Sequence, residues 1–148
     1  MPDRIRVADG AALLGVSDDT LRRWSEAGRI TIHRDSGRAT VDGAELAALA
    51  TQLAAESPLA HLGPSEGTSS ARNRIPGIVT RVVRDTVMAQ VELQAGPFRV
   101  VSLLSREAAD ELDLQPGSLA TATVKATNVV IERSEPPAHD PHRTKESR

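Results

Sequence analysis

The sequence predicts two small domains in series, the first mainly α-helical and the second a small OB-like β-barrel. Three observations carry this prediction. Apolar residues at helical spacing, each run opened by a capping residue, fill the chain up to residue 56. Strand-like alternation of apolar and polar residues fills 70–133. Between them, residues 57–69 (SPLAHLGPSEGTS) are rich in Ser, Pro and Gly and have no apolar period, so they read as a linker spanning roughly 20 Å as a flexible chain. Residues 134–148 carry many charges, two adjacent prolines and almost no apolar residues, a composition that predicts a disordered tail.

In the first half, Val7, Ala11, Leu13 and Leu14 suit a short helix that Gly15 breaks. Ser17 is a good N-cap for a second helix, with Asp18 and Asp19 in its first turn and Gly28 just past its end. Ile30 and Ile32 alternate with Thr31 and His33, Asp35-Ser36-Gly37 makes a turn, and Ala39 to Val41 returns as a second strand. Asp42 can cap a third helix whose apolar residues include Leu46, Leu49 and Leu53. Trp24 shares a helical face with Thr20, Leu21 and Gly28 and reads as a core residue.

The second half is mostly strand. One strand opens at Ser70-Ala71-Arg72-Asn73, and Gly77 within it suits a tight bend or a close backbone approach. Val87 to Leu93 alternates cleanly, and Phe98 to Leu104 is another strand. Ser105 can cap a short helix, SREAADELD. Residues 119–125 and 127–132 are the last two strands. Five strands and one helix in this length fit the OB-like barrel.

Composition narrows the chemistry. The chain has 18 Lys+Arg against 20 Asp+Glu, so any nucleic-acid surface must be a local patch. It has no cysteine, which excludes disulfides and thiolate chemistry. Only Trp24 and Phe98 are aromatic, too few for a base-stacking surface. No apolar run is long enough to span a membrane, so a cytoplasmic protein is expected. His139 and His142, with His33 and His61 far off in sequence, make a poor metal set, so no metal cation is expected. No Ser/His/Asp set or paired carboxylates argue for an enzyme.

Two short helices around a Gly-centred turn make a helix-turn-helix, whose second helix would lie in a DNA major groove. That helix carries Ser17 at its cap, then Thr20, Arg22 and Arg23, and the hairpin after it offers His33, Arg34 and Arg38. From Arg22 to Arg38 there are five Arg against two acids, Glu26 and Asp35, which is the local basic patch required. Taken alone, the same arginines also suit a solvated helix face or a protein-binding surface. VADGAALLGVSDDTLRRWSEAGRI, followed by a hairpin and DGAEL, resembles the excisionase/MerR-type winged helix-turn-helix over about residues 4–50. The resemblance implies binding of double-stranded DNA, with the hairpin as a wing.

A second constellation points to an anion. Ser70, Arg72 and Asn73 bring a hydroxyl, a guanidinium and a carboxamide with no carboxylate among them. Lys125, Thr127 and Asn128 repeat that chemistry, and Ser105 adds a hydroxyl at a helix start. A tetrahedral dianion presents only acceptors, so it wants donors and positive charge. Taken alone, Ser70 also suits a plain strand start and Lys125 a surface charge. SARNRIPGIVTRVV, then SLLSREAADELDLQPG, then TATVKATNVVI resembles the molybdenum-pterin-binding (Mop) type of TOBE domain over about residues 69–133. That family implies an OB-like barrel that pairs by strand exchange and holds molybdate or tungstate at subunit interfaces. Its site falls by position on Ser70, Ala71, Arg72, Asn73, Ser105, Lys125, Ala126 and Thr127. Ala108 departs from the pattern, since a hydroxyl residue is common there.

Together the two resemblances imply a molybdate- or tungstate-responsive transcriptional regulator. It would be a homo-oligomer, at least a dimer, with a hexamer plausible by likeness to free-standing molbindins. The alternatives are a molbindin-like store with accessory heads, and a DNA-binding protein whose barrel only assembles it.

Overall fold

Capping chemistry sets where the N-terminal elements begin and end. In the computed structural model, which describes residues 3–63 and 69–135, a short strand β1 (Arg4–Arg6) precedes α1 (Val7–Leu14). Helix α1 stops at Gly15, whose φ of 69° is the left-handed conformation that glycine adopts without penalty. Helix α2 (Asp18–Glu26) starts at Ser17, whose hydroxyl accepts the Thr20 N–H at 3.2 Å. A hairpin of β2 (Ile32–Asp35) and β3 (Arg38–Asp42) follows, then α3 (Gly43–Glu56). Asp42 caps α3 by accepting the Ala44 N–H at 2.9 Å. The strand order is β1-β3-β2, all antiparallel. Strand β1 is an addition to the sequence reading. Three residues carry no period, and Ile5 finds its partner Val41 far along the chain. Val7, Leu21, Ile30, Val41, Leu46 and Leu49 form the buried core, and Trp24 packs against its edge.

The chain divides into two units: Pro58–Ile131 form the second, and the residues up to Ser57, with those from Glu132 on, form the first. Within the stretch read as a linker, Pro58–His61 coils into a 3-10 turn and belongs to the second unit. Residues 64–68 of that stretch lie outside the described residues, as do 136–148, most of the expected disordered tail, with His139 and His142.

The second unit is built on β4 (Asn73–Arg84), followed by β5 (Met88–Ala95), β6 (Phe98–Ser105), α4 (Arg106–Glu111) and β7 (Leu119–Val124). The order is β6-β5-β4-β7, again antiparallel. Twelve residues make β4 long enough to pair twice. Its later part, from Ile78 on, pairs with β5, and its earlier part, Asn73 to Ile78, pairs with β7. A register shift between Val79 and Arg81 bends the strand and lets the sheet curl. Val79, Val91 and Leu93 are buried on the inner face.

Two expectations are corrected here. The fifth strand at 127–132 is absent: Ala126–Asn128 is a 3-10 turn, and Val129, Val130 and Ile131 join no sheet. The barrel is therefore an open, curled four-stranded sheet in which β6 and β7 are both edges. Apolar alternation promises a strand only where an edge is in reach. β7 leaves the sheet beside Asn73, the first residue of β4, so the following residues run past the sheet's end. Val130 and Ile131 are left 83% and 87% exposed.

Gly77 is a close-approach glycine, as expected. A Cβ there would lie 2.5 Å from the Gln94 carbonyl oxygen and 2.9 Å from Leu93 Cγ. On the outer face of β5, Glu92 accepts a forked pair of hydrogen bonds from Arg99, Nη2 to Oε1 at 2.7 Å and Nε to Oε2 at 3.1 Å. Arg81 lies 3.6 Å from the same carboxylate. The Arg99 hydrogen bond is the main cause that holds Glu92 below the usual carboxylate range.

Gly77→Ala is expected to cost about 1–3 kcal/mol, because backbone has to move to admit the methyl, and a lower urea midpoint would register this. Glu92 gives a signed pH prediction. Its affinity for a proton is lower in the folded chain, so its contribution is present above the ordinary glutamate pKa and fades as pH falls through the lowered value. Urea titrations from neutral pH downward should show an acid arm that flattens in Glu92→Gln; an unchanged arm would contradict the assignment.

Candidate functional sites

The pairing of β4 with β7 puts two of the donor-rich runs side by side. Asn73 is opposite Val124, and its side-chain Nδ2 donates to the Val124 carbonyl at 3.0 Å. This ties the residues before β4 to those after β7. Ala71 is buried, and its N–H donates to the Ser69 hydroxyl at 3.1 Å. Its neighbours Ser70 and Arg72 are exposed. Across from them Lys125 opens the 3-10 turn, with its carbonyl accepting the Asn128 N–H at 2.9 Å, and Lys125, Ala126 and Thr127 are exposed. No carboxylate occurs in residues 69–74 or 123–131. The result is an end of the sheet that exposes Arg72 and Lys125 beside hydroxyls and carboxamides.

Ser105 is not part of that end. It pairs with Met88, beside the Arg84–Ala89 pair at the far end of β4. Eleven residue steps of strand lead from Asn73 to Arg84, about 35 Å of strand path. A single chain thus joins two of the three donor elements and sets the third apart. The Ser105 hydroxyl accepts the Ala108 N–H at 3.1 Å, which leaves its own proton free to donate outward. The Arg106 N–H is engaged by the Val87 carbonyl at 2.8 Å. The amides of both Arg106 and Ala108 are thus committed within the chain.

The basic surface lies in the first unit. Ser17 Oγ and Thr20 Oγ1 are 3.0 Å apart, and Arg23 Nη2 donates to Thr20 Oγ1 at 3.3 Å. Arg22, half-buried, lines a notch together with Ser25, Glu26, Ile32 and Arg34, so an arginine of α2 and one of β2 border the same hollow. His33 is opposite Thr40, and Arg38 sits at the hairpin tip opposite Asp35. Arg29 is set apart from this group: its guanidinium lies over the Trp24 ring, 4.8 Å from the centroid. Among the described residues no group of three His, Asp or Glu could hold a metal ion. Among the described residues no helix is long and apolar enough to cross a membrane.

Residues 69–131 match the family model for the TOBE domain. Molybdenum-pterin-binding protein 2 of Clostridium pasteurianum is 38% identical over 63 residues, which are 42% of this chain and 93% of that protein. The chain belongs to the TOBE-domain family. Molybdenum-pterin-binding protein 1 of the same organism is 35% identical over the same length. Among solved structures, a molybdate-binding protein from Sporomusa ovata is 31% identical, with a TM-score of 0.44 over 45% of this chain and all of that one. The cytoplasmic molybdate-binding protein ModG is 36% identical, with a TM-score of 0.43 over 47% of this chain and 50% of that one. The TOBE domain holds both donor-rich runs and Ser105, whereas the basic surface precedes it in the chain.

Proposed function

We propose that this chain is a cytoplasmic, molybdate-binding transcriptional regulator, not an enzyme, with a winged helix-turn-helix head and a TOBE domain that holds the oxyanion between subunits. Tungstate, a tetrahedral dianion of nearly equal size, is an equivalent ligand. The observation that carries the reading is the acid-free junction of Arg72 and Lys125, set by the Asn73–Val124 pair. Ser70, Asn73 and Thr127 add donors, and the backbone at Ala71 and Ala126 fixes the two runs. Ser105 of a second copy would supply the remaining hydroxyl, because within one chain it lies at the other end of β4. Two free sheet edges and the exposed Val129–Val130–Ile131 run favour a dimer made by strand exchange. A hexamer, three such dimers, is the larger assembly in keeping with this.

For the head, α1 and α2 around Gly15, with Arg22 and Arg34 bordering one hollow beside α2, suit a major-groove helix flanked by a wing that carries Arg38. Ser17, Thr20, Arg23 and His33 complete the DNA-facing set. Any effect of oxyanion on DNA affinity has an equal reciprocal effect of DNA on oxyanion affinity. A molbindin-like store with an accessory head is the second reading. It is favoured by the curated relatives, 93% of whose length is matched by a segment that excludes the head.

Calorimetric titration of the full chain with molybdate, with sulfate as control, should give saturable binding tighter than sulfate; a folded protein giving no heat would sink the site. Arg72→Ala and Lys125→Ala should each lose about 1.5 kcal/mol or more of molybdate affinity, the scale of a charged hydrogen bond. Arg22→Ala should weaken binding to a duplex selected from a random pool by about 1–3 kcal/mol and leave molybdate binding unchanged. Failure of the intact protein to select any duplex, with or without molybdate, would favour the store.

A further inference from the structure

We propose that Arg84 and Asp110 are positioning residues for the anion site: they clamp α4 to the end of β4 and so fix where Ser105 presents its hydroxyl. Their role rests on Ser105 being an oxyanion ligand, as proposed above. Both act through the helix that Ser105 opens, not on the oxyanion itself.

Helix α4 cannot hold itself in place. It has six residues, well short of the length at which an isolated helix persists in water. Of its side chains only Ala109 is buried, and Leu112 just beyond it is exposed. One methyl group anchors the helix but leaves its rotation about that point open. Polar contacts settle the rest. Arg84, the last residue of β4, donates from Nε to Asp110 Oδ1 at 2.9 Å and from Nη2 to the Leu114 carbonyl at 2.8 Å. One planar guanidinium thus grips the helix and the chain that leaves it. The other carboxylate oxygen of Asp110 lies 3.7 Å from Arg106 Nε. Arg106 in turn donates from Nη1 to the Asp85 carbonyl at 3.2 Å. Both ends of α4 are therefore tied to the last residue of β4 and the one after it.

The side chains of Arg84 and Asp110 are 31% and 53% exposed, and ion pairs this accessible to water add little to stability. What the fork supplies is direction, because two hydrogen bonds from one rigid plane fix an orientation that a single contact does not. Ser105 needs direction. Its hydroxyl already accepts the Ala108 N–H at 3.1 Å, so the helix sets its rotamer and aims its remaining proton. Charge works in the opposite sense. A carboxylate on the same short helix as a ligand for a dianion opposes binding by Coulomb repulsion. Position and charge therefore predict opposite results when Asp110 is removed.

Asp110→Ala in the full chain separates the two. Alanine favours the helix, removes a negative charge and frees both arginines, so charge alone predicts tighter molybdate binding. Positioning predicts weaker binding by calorimetry, by up to about fivefold, the net worth of one hydrogen bond, and no further loss where Ser105→Ala is already present. Affinity equal to or above that of the parent, in a chain that Ser105→Ala does weaken, would overturn the positioning role. The clamp also has a readout that needs no anion. Hydrogen exchange at the Arg106 and Ala108 amides, which donate to the Val87 carbonyl and the Ser105 hydroxyl, should speed severalfold in Asp110→Ala and in Arg84→Gln, while the amides between β4 and β5 stay protected. Unchanged exchange would overturn the clamp whatever molybdate does. Faster exchange, together with a Ser105→Ala variant that binds molybdate like the parent, would instead remove Ser105 as a ligand, and the positioning role with it.

Discussion

The second unit depends on one strand pairing along both sides. β4 is hydrogen-bonded to β5 through its later residues and to β7 through its earlier ones, with Ile78 in both ladders. Gly77 sits where the two ladders meet, and the Gln94 backbone comes close enough there to exclude any side chain. That double pairing brings the residues before β4 beside those after β7, and it sends Ser105 to the opposite end. The placement of every candidate anion-binding group follows from it.

Charge is distributed along this sheet by the same logic. On the outer face of the central strand, Glu92 is enclosed by Arg99, Arg81 and Gln90, so one carboxylate is shared between two guanidinium groups. At the end of β4 and β7 no acid stands near in sequence, and Arg72 and Lys125 keep their charge available. An arginine paired on the sheet's flank stabilises the fold, whereas an arginine beside an acid-free run is able to receive an anion. Neighbouring carboxylates decide which.

The features legible in the sequence were those decided within a few residues. Ser17, Asp42 and Ser105 each satisfy amides two or three positions on, so the helix starts could be read directly. Gly15 and Gly77 announced a left-handed residue and a close approach. What required distant partners could not be read this way. β1 is three residues whose pairing partner lies far downstream. Residues 127–132 have the alternation of a strand but run past the end of the sheet and pair with neither of its edges. The adjacency of Asn73 and Val124 spans 51 positions, and no local pattern encodes it. Family resemblance, not spacing, suggested that the donor-rich runs belong together.

The stacking of Arg29 on Trp24 has an optical consequence. Trp24 is the sole tryptophan and the chain has no tyrosine, so its emission reports on the first unit alone. The TOBE domain holds only Phe98 and is nearly silent in the near ultraviolet. A bare, spectrally inert oxyanion therefore has no chromophore to perturb at the Arg72–Lys125 junction. Any change in tryptophan fluorescence that follows its addition reports an event in the first unit, where Trp24 lies.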